Sequence, residues 1–548
     1  MFRVALAVIL AFACSGTQRA KGPPGPKLVV LIVVDQLPTW VFERDRKLFT
    51  GGLARMLREG GYVAAAELPY ANPFTAPGHA AIGTGASPNV TGIVGNGWYR
   101  RGEQHEREAE YDAEAPVFAV GPAHAGVLSV EDNGSAKAMR VAGLADVLRT
   151  ATGGKARSIA ISLKARGAVF VAGKQPDLAV WYEPAAGGMT TSRAYAPEAP
   201  SWLIELASTR SATRFYRSTW SPLDAKLLAK TTRMVDAAPG EGAFHGLDTA
   251  FPHELGATES PTRAIVHTTF ADDMVFDAVY GALDAMALGK DAVPDLLAVS
   301  FSAHDYAGHL WGPDSWEVLD LTMRFDLALG KLFATLDERV GAGQWAAVLT
   351  SDHGATPVVD RATGVAGGTG RAKPGARRIT TAEIEKVVDD ALAPYGTGPF
   401  FLTFASSNIY LGPAFDKVTR RDAALRAVAA ALAKLPNIAA AAPTAKLAGN
   451  CEARRGLEQA ICFALVDGEA GELFVAPIAG SLISDYRTGT HHDAPFDDNR
   501  RVPILVLAPG LAPQEGTGSL LQVAPTVAAL LRIPPPPSAK APALFGLR

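Results

Sequence analysis

Lys27-Leu28-Val29-Val30-Leu31-Ile32-Val33-Val34-Asp35 is an unbroken apolar run closed by a carboxylate. A strand with one wet face alternates polar and apolar side chains, so this run predicts a strand buried on both faces, as at the centre of a parallel α/β sheet. The same design recurs at residues 296–301 ahead of Asp305, at 345–350 ahead of Asp352, and at 502–508 after His492. Helix-like stretches separate the runs, around residues 51–59, 141–150, 271–287 and 316–340. This alternation predicts a three-layer α/β/α sandwich with a mostly parallel central sheet. Ligands of such sheets bind beyond the carboxyl ends of the strands, where Asp35, Asp305 and Asp352 fall.

Two regions interrupt the rhythm. Residues 101–251 mix short apolar runs (157–163, 168–172, 178–182) with glycine and polar segments, and residues 357–481 form an Ala-rich block with helix-like stretches at 380–392 and 420–435. Both read as insertions into one catalytic domain spanning 27–548, the second as a cap beside the site. The length of 548 residues allows a large core, and 48% hydrophobic with 20% charged residues is a globular balance. A formal net charge of -3 leaves no basic footprint, which argues against nucleic acid as the main partner.

The N-terminus reads as a signal peptide over residues 1–13: one arginine, then an apolar run too short to span a bilayer. Cys14 opens a flexible tether, residues 14–26, and its place resembles the lipidated cysteine of a bacterial lipoprotein. Ala11-Phe12-Ala13 is an imperfect lipobox, so ordinary cleavage is the alternative. The expected location is periplasmic or outer-membrane-associated, with a lipid anchor at Cys14 and no transmembrane helix in the mature protein. Cys451 and Cys462 then remain, either as a disulfide that an oxidising compartment would preserve or as two buried thiols.

The chemistry-bearing residues lie at the ends of the predicted strands or in loops. Asn72-Pro73-Phe74-Thr75-Ala76-Pro77-Gly78-His79 places the Thr75 hydroxyl near the N-cap of a helix that begins just after Pro77, where free N–H groups favour an anion. On its own, that threonine does no more than cap a helix. Asp305 and His309, four apart, project from one face of a helical turn. Asp352 and His353 are adjacent and converge only if the strand breaks, for which Gly354 is suited. With Asp35 and His492 these make six mixed carboxylate and imidazole ligands, a set that suits two zinc ions, with manganese or iron as alternatives. Two ions about 4 Å apart could steady both the attacking and the leaving oxygen of an in-line displacement.

The order of these motifs, from Asp35 through Asn-Pro-Phe-Thr75-Ala-Pro-Gly-His, Asp305-x-x-x-His309 and Asp352-His353-Gly to a late His492, resembles the alkaline phosphatase superfamily over nearly the whole chain from Lys27, closest to the bacterial PafA-like group with a threonine nucleophile. The resemblance implies one zinc held by Asp305, His309 and His492, and a second held by Asp35, Asp352 and His353 that also binds the Thr75 oxygen. It further implies that Asn96, Lys164 and Arg166 contact the phosphoryl oxygens, that phosphate monoesters are the substrates, and that a phosphothreonine forms on Thr75. His491-His492-Asp493-Ala494 departs from the usual Thr-His-Gly-Ser of that loop, which leaves His491 as the alternative ligand; His79 and His304 are expected in supporting roles. Sulfatases are set aside because Thr75-Ala76-Pro77-Gly78-His79 has neither the modifiable Cys or Ser nor the Arg of their motif. Two alternatives stay open: a nucleotide pyrophosphatase/phosphodiesterase, and a surface protein whose metal sites are structural. Structural zinc sites are closed by four protein ligands, and three per ion favours catalysis.

Overall fold

The computed structural model describes residues 25–121, 126–127, 133–361 and 372–548. The expected signal peptide and Cys14 lie outside them. Among the described residues no helix is long and apolar enough to cross a membrane.

The centre of the molecule is a nine-stranded sheet. Its strands are β1 (Leu28–Val34), β2 (Gly61–Glu67), β3 (Ser158–Ser162), β4 (Leu178–Glu183), β5 (Gly188–Thr190), β6 (Asp295–Phe301), β7 (Trp345–Thr350), β8 (Arg501–Leu507) and β9 (Gln514–Gly516), in the order β9-β2-β8-β7-β1-β6-β3-β4-β5. The run from β7 to β4 is parallel, with Ile32 of β1 in register with Val299 of β6 on one side and Leu349 of β7 on the other. All seven residues of β1 are buried, because its side chains serve two cores at once. Val29, Leu31 and Val33 face a core that includes residues of α1 (Thr75–Thr84), α2 (Ala165–Val171) and α6 (Val523–Leu531). Leu28, Val30, Ile32 and Val34 face the other, with α3 (Thr269–Ala285), α4 (Ala303–Trp311) and α5 (Trp316–Leu336). The α/β/α sandwich expected from the apolar runs is the observed fold.

Three expectations change. The run at 502–508 becomes β8, which is antiparallel to both β7 and β2 rather than one more parallel strand. A buried antiparallel strand needs the same continuous apolar run as a parallel one, so composition carries no direction. The reversal has a consequence for the site, since it brings the N-terminal end of β8 to the edge where β1, β6 and β7 end. Thr350 Oγ1 donates to Pro503 O at 3.0 Å across that edge. Second, residues 101–251 are not simply an insertion: 158–190 supply β3, β4 and β5 of the main sheet. The apolar runs at 157–163 and 178–182 are the first two of these strands. Third, that region also supplies α2, which takes up the apolar run from 168 to 171.

Residues 378–483 carry a core of their own. A four-stranded sheet of Phe401–Ala405, Asn408–Leu411, Leu473–Pro477 and Ile438–Pro443 packs with the helices Thr381–Leu392 and Arg421–Leu432 through Ile384, Val388, Val428 and Leu432. Ser406 and Ser407, both with positive φ, make the tight turn between the first two strands, and Ser406 Oγ donates to Gly97 O at 2.9 Å. That contact brings this region against the segment that carries Asn96. Cys451 and Cys462 are joined in a disulfide.

Candidate active site

The floor of the site is the edge where β1, β6 and β7 end. Asp35 N–H still donates to Phe301 O at 3.0 Å, so the carboxylate leaves β1 in a fixed direction. The chain then turns at Gln36 with φ of 62°, a left-handed conformation that costs a non-glycine residue energy. Two bonds hold the turn: Gln36 N donates to Asp352 Oδ1 at 3.1 Å, and its Nε2 donates to Asp305 Oδ1 at 2.6 Å. After β7 the backbone of Gly354 and Ala355 crosses to Asn499 and Asp498, with N–H to O distances of 2.8 and 3.0 Å. Strand alternation ends there, and Asp352 and His353 turn to the same place. The crossing is close enough that a Cβ on Gly354 would stand 2.1 Å from Asp498 O, so only glycine fits.

α1 lies against this corner. A Cβ on Gly78 would meet Asp352 O at 2.5 Å, which explains the glycine after Pro77. The helix starts earlier than expected, with Phe74 as its N-cap and Thr75 as its first residue; Pro77, at the third position, gives up an N–H that has no helical partner anyway. Thr75 is buried, and its Oγ1 lies 3.4 Å from His353 Nε2. Asn96 accepts the next free donor, Ala76 N–H, on Oδ1 at 2.9 Å.

Two groups of ligand atoms lie together, each within 4.8 Å: Asp35 with Asp352 and His353, and Asp305 with His353 and His492. His309 joins Asp305 from one turn along α4, with Nε2 at 3.2 Å from Asp305 Oδ1, and its ring centroid is 5.0 Å from that of His492. All six expected ligands therefore meet at one edge, and His353 stands between the two groups. The Nδ1 atoms of His309, His353 and His492 face backbone carbonyls, of Thr490 at 2.8 Å, Gly354 at 2.9 Å and Pro73 at 2.6 Å. A proton held there leaves each Nε2 lone pair for a cation. His491 belongs to neither group and stacks on His492 at 4.7 Å.

The electrostatics fit cations. Burial and the adjacent Asp352 push the Asp35 carboxyl well above the usual range. Burial opposes ionisation of Asp305 and Asp352 too, but His309 and Lys164 outweigh it for Asp305, and His353 and His79 hold Asp352 down at about 2. Burial pushes His353 down and, with His353 and His491 beside it, His492 further, which favours the neutral ring that a cation would need. Among the described residues Asp35 Oδ1 and Asp352 Oδ2 have only imidazole nitrogens beside them, His353 Nε2 at 3.4 Å from both and His79 Nδ1 at 3.2 Å from Asp352 Oδ2. Buried carboxylate oxygens so short of donors, beside imidazoles, are a donor set for divalent ions such as zinc.

Lys164 and Arg166 flank the start of α2, where Lys164 is the N-cap. Lys164 Nζ lies 2.9 Å from Asp35 Oδ2 and also bonds Asp305 Oδ2. Arg166 is held by Glu108 at 2.8 Å and Glu110 at 3.3 Å. His79 supports the floor, with Nδ1 2.9 Å from Thr75 O and Nε2 2.7 Å from Ser300 Oγ, while His304 bonds Thr322 Oγ1 at 3.1 Å away from both ligand groups. Sequence reasoning missed Gln36, Glu108 and Glu110. For the two glutamates the only signal was acidic residues two apart, and for Gln36 there was none.

The sequence profile of the type I phosphodiesterase / nucleotide pyrophosphatase family matches residues 29–368, a span that holds Asp35, Thr75, Asp305, His309, Asp352 and His353. The chain belongs to this family. Membership makes it a hydrolase of the alkaline phosphatase superfamily, as the motif order implies. Among the family's relatives, alkaline phosphatase PafA of Elizabethkingia meningoseptica is 26% identical over 544 residues, covering 96% of this chain and 95% of that protein. Alkaline phosphatase PhoV of Synechococcus elongatus is 32% identical over 336 residues, 61% of this chain and 60% of that protein, so this match spans less than two thirds of PhoV. The crystal structure of wild-type PafA superposes with a TM-score of 0.87 at 24% identity, covering 96% of this chain and all of that one, which supports the fold.

Proposed function

We propose that this chain is an exported, zinc-dependent phosphomonoesterase that works through a covalent phosphothreonine. The observation that carries this reading is the Thr75 hydroxyl, buried 3.4 Å from His353 Nε2 at the N-terminus of α1, beside ligands for two cations. Asp305, His309 and His492 would hold one zinc ion, and Asp35, Asp352 and His353 the other; bound there, such ions supply Lewis-acid stabilisation to the attacking and leaving oxygens.

The chain's own residues account for the rest. Thr75 Oγ gives up its proton and attacks phosphorus in line, the bond to the leaving alcohol oxygen breaks, and the alcohol departs with a proton. Water then attacks the same phosphorus, the bond to Thr75 Oγ breaks, and inorganic phosphate leaves as Thr75 regains its hydrogen. Lys164, Arg166 and Asn96 face the non-bridging oxygens. A monoester dianion places more charge on those oxygens than a diester, and a guanidinium fixed by Glu108 and Glu110 can donate to two of them. The Cys451–Cys462 disulfide supports an oxidising compartment, in keeping with the signal sequence and the possible anchor at Cys14.

The test is hydrolysis of a phosphomonoester panel by purified wild type and Thr75→Ala, with zinc analysis and mass spectrometry of a quenched reaction. Two zinc ions, a phosphate on Thr75 and an inactive Thr75→Ala are expected; an active Thr75→Ala overturns the nucleophile. The family profile favours a second reading, a nucleotide pyrophosphatase/phosphodiesterase. A diester of the same alcohol cleaved faster than its monoester would select it.

A further inference from the structure

Gln36 is buried at three disadvantages. Its φ of 62° disfavours any side chain. Its Oε1 is enclosed with no hydrogen-bond partner among the described residues, which polar atoms in a folded chain rarely tolerate. α4 also gives way to it: a Cβ on Gly308 would stand 2.0 Å from that Oε1, so a glycine occupies the helical turn between Asp305 and His309. A residue kept against strain, an unmet acceptor and a weakened helix turn points to a task beyond filling space.

The two bonds of Gln36 supply that task, because they reach both ligand groups. Its N–H donates to Asp352 Oδ1 at 3.1 Å in one group, and its Nε2 donates to Asp305 Oδ1 at 2.6 Å in the other. An ionised carboxylate only accepts, so the amide nitrogen is the atom that must face Asp305. On the first side His353 N–H joins Gln36 N–H at Asp352 Oδ1, at 3.0 Å, which leaves Asp352 Oδ2 as the oxygen free to ligate. Lys164 also spans the two groups, through Asp35 and Asp305, but the proposed reaction gives it to the phosphoryl oxygens. We propose that Gln36 is a positioning residue that couples the two ion sites: holding Asp352 by its backbone and Asp305 by its side chain, it lets an ion bound in either group order a ligand of the other. This rests on the two-zinc reading given above. Hydrogen bonds to ligating carboxylates aim them, and a link between two such carboxylates makes the two affinities interdependent.

Gln36→Met keeps the reach of the side chain and removes its donor. The full chain, stripped of metal, is titrated with zinc against a chromophoric competing chelator, with stoichiometry from metal analysis. Wild type should take up two ions. In Gln36→Met the weaker affinity should fall about tenfold and the tighter one by less than about threefold, while the unfolding midpoint of the metal-free protein stays close to that of wild type. Two unchanged affinities overturn the proposal, and so does a parallel fall in both with a lowered midpoint, which is what a purely structural residue would give. Asp352→Asn then tests the link itself. With that group disabled, Gln36→Met should weaken the remaining site by less than about threefold; a full tenfold loss there makes Gln36 a partner of Asp305 alone and overturns the coupling. Should the Met variant not fold, Gln36→Gly, suited to the positive φ, is read in the same way. A wild type that binds fewer than two zinc ions defeats the two-zinc reading, and the coupling falls with it.

Discussion

The two ligand groups are built differently. Asp35, Asp352 and His353 hang from the ends of adjacent parallel strands, and all are completely buried. Asp305 and His309 sit on α4, His492 comes from the loop before β8, and the His309 side chain is 29% exposed. Ladder hydrogen bonds and packing on both faces of the sheet fix the first group, whereas the second depends on how a helix and a loop dock. The strand-borne group stands beside Thr75, and in the other Asp305 and His492 are buried while His309 alone reaches solvent. Under the proposed mechanism the contrast assigns rigidity to the half beside the proposed nucleophile and access to the half beside the departing alcohol.

The largest expected effect tests the rigid half. Thr75→Ala, and separately Asp352→Asn, should each lower kcat/KM for a phosphomonoester by at least about 10³-fold with the fold intact by circular dichroism. His309→Ala should cost less, about 10- to 100-fold, because it removes one ligand from the open half. Equal losses in Asp352→Asn and His309→Ala would erase the distinction between the halves. Arg166→Ala is expected to reduce monoester hydrolysis about 10- to 100-fold and diester hydrolysis clearly less; parallel losses would remove its role in reading the dianion.

Chelation separates the halves without mutation. During dialysis against a chelator, metal analysis should pass through a plateau near one zinc per chain as the open half empties first, and zinc should restore activity. A single-step loss of both ions would contradict the contrast. The smallest effect lies far from both: Cys451→Ser should lower stability by about 2–4 kcal/mol in denaturant unfolding while activity below the transition stays near wild type.

Much of this was legible in the chain. The apolar runs that end at Asp35 and lead to Asp352 suit strands buried on both faces, and the four-residue spacing of Asp305 and His309, weak alone, suits one helix face. Direction was not legible for β8, since its composition suits either sense. The runs at 157–163 and 178–182 were visible, but their place in the main sheet was not, because strand order across a long polar stretch leaves no local pattern. Glu108 and Glu110 reach Arg166 from a separate hairpin, and no local pattern announces a partner more than fifty residues away in the sequence. Gln36 was hidden by its backbone: glutamine is an uncommon residue at positive φ, and it is held there by two aspartates that follow about three hundred residues later.

The place of β8 in the sheet bears on biosynthesis. Residues 501–507 fill the slot between β2 and β7, both of which precede them in the chain by more than a hundred residues. Until residues 501–507 have been synthesised, the sheet therefore stays split and the loop carrying His492 has no following strand to anchor it. If the chain is exported as proposed, a sheet that cannot close early keeps it threadable through a secretion pore and keeps the proposed metal ligands from assembling on the near side. Maturation would then await the far side of the membrane.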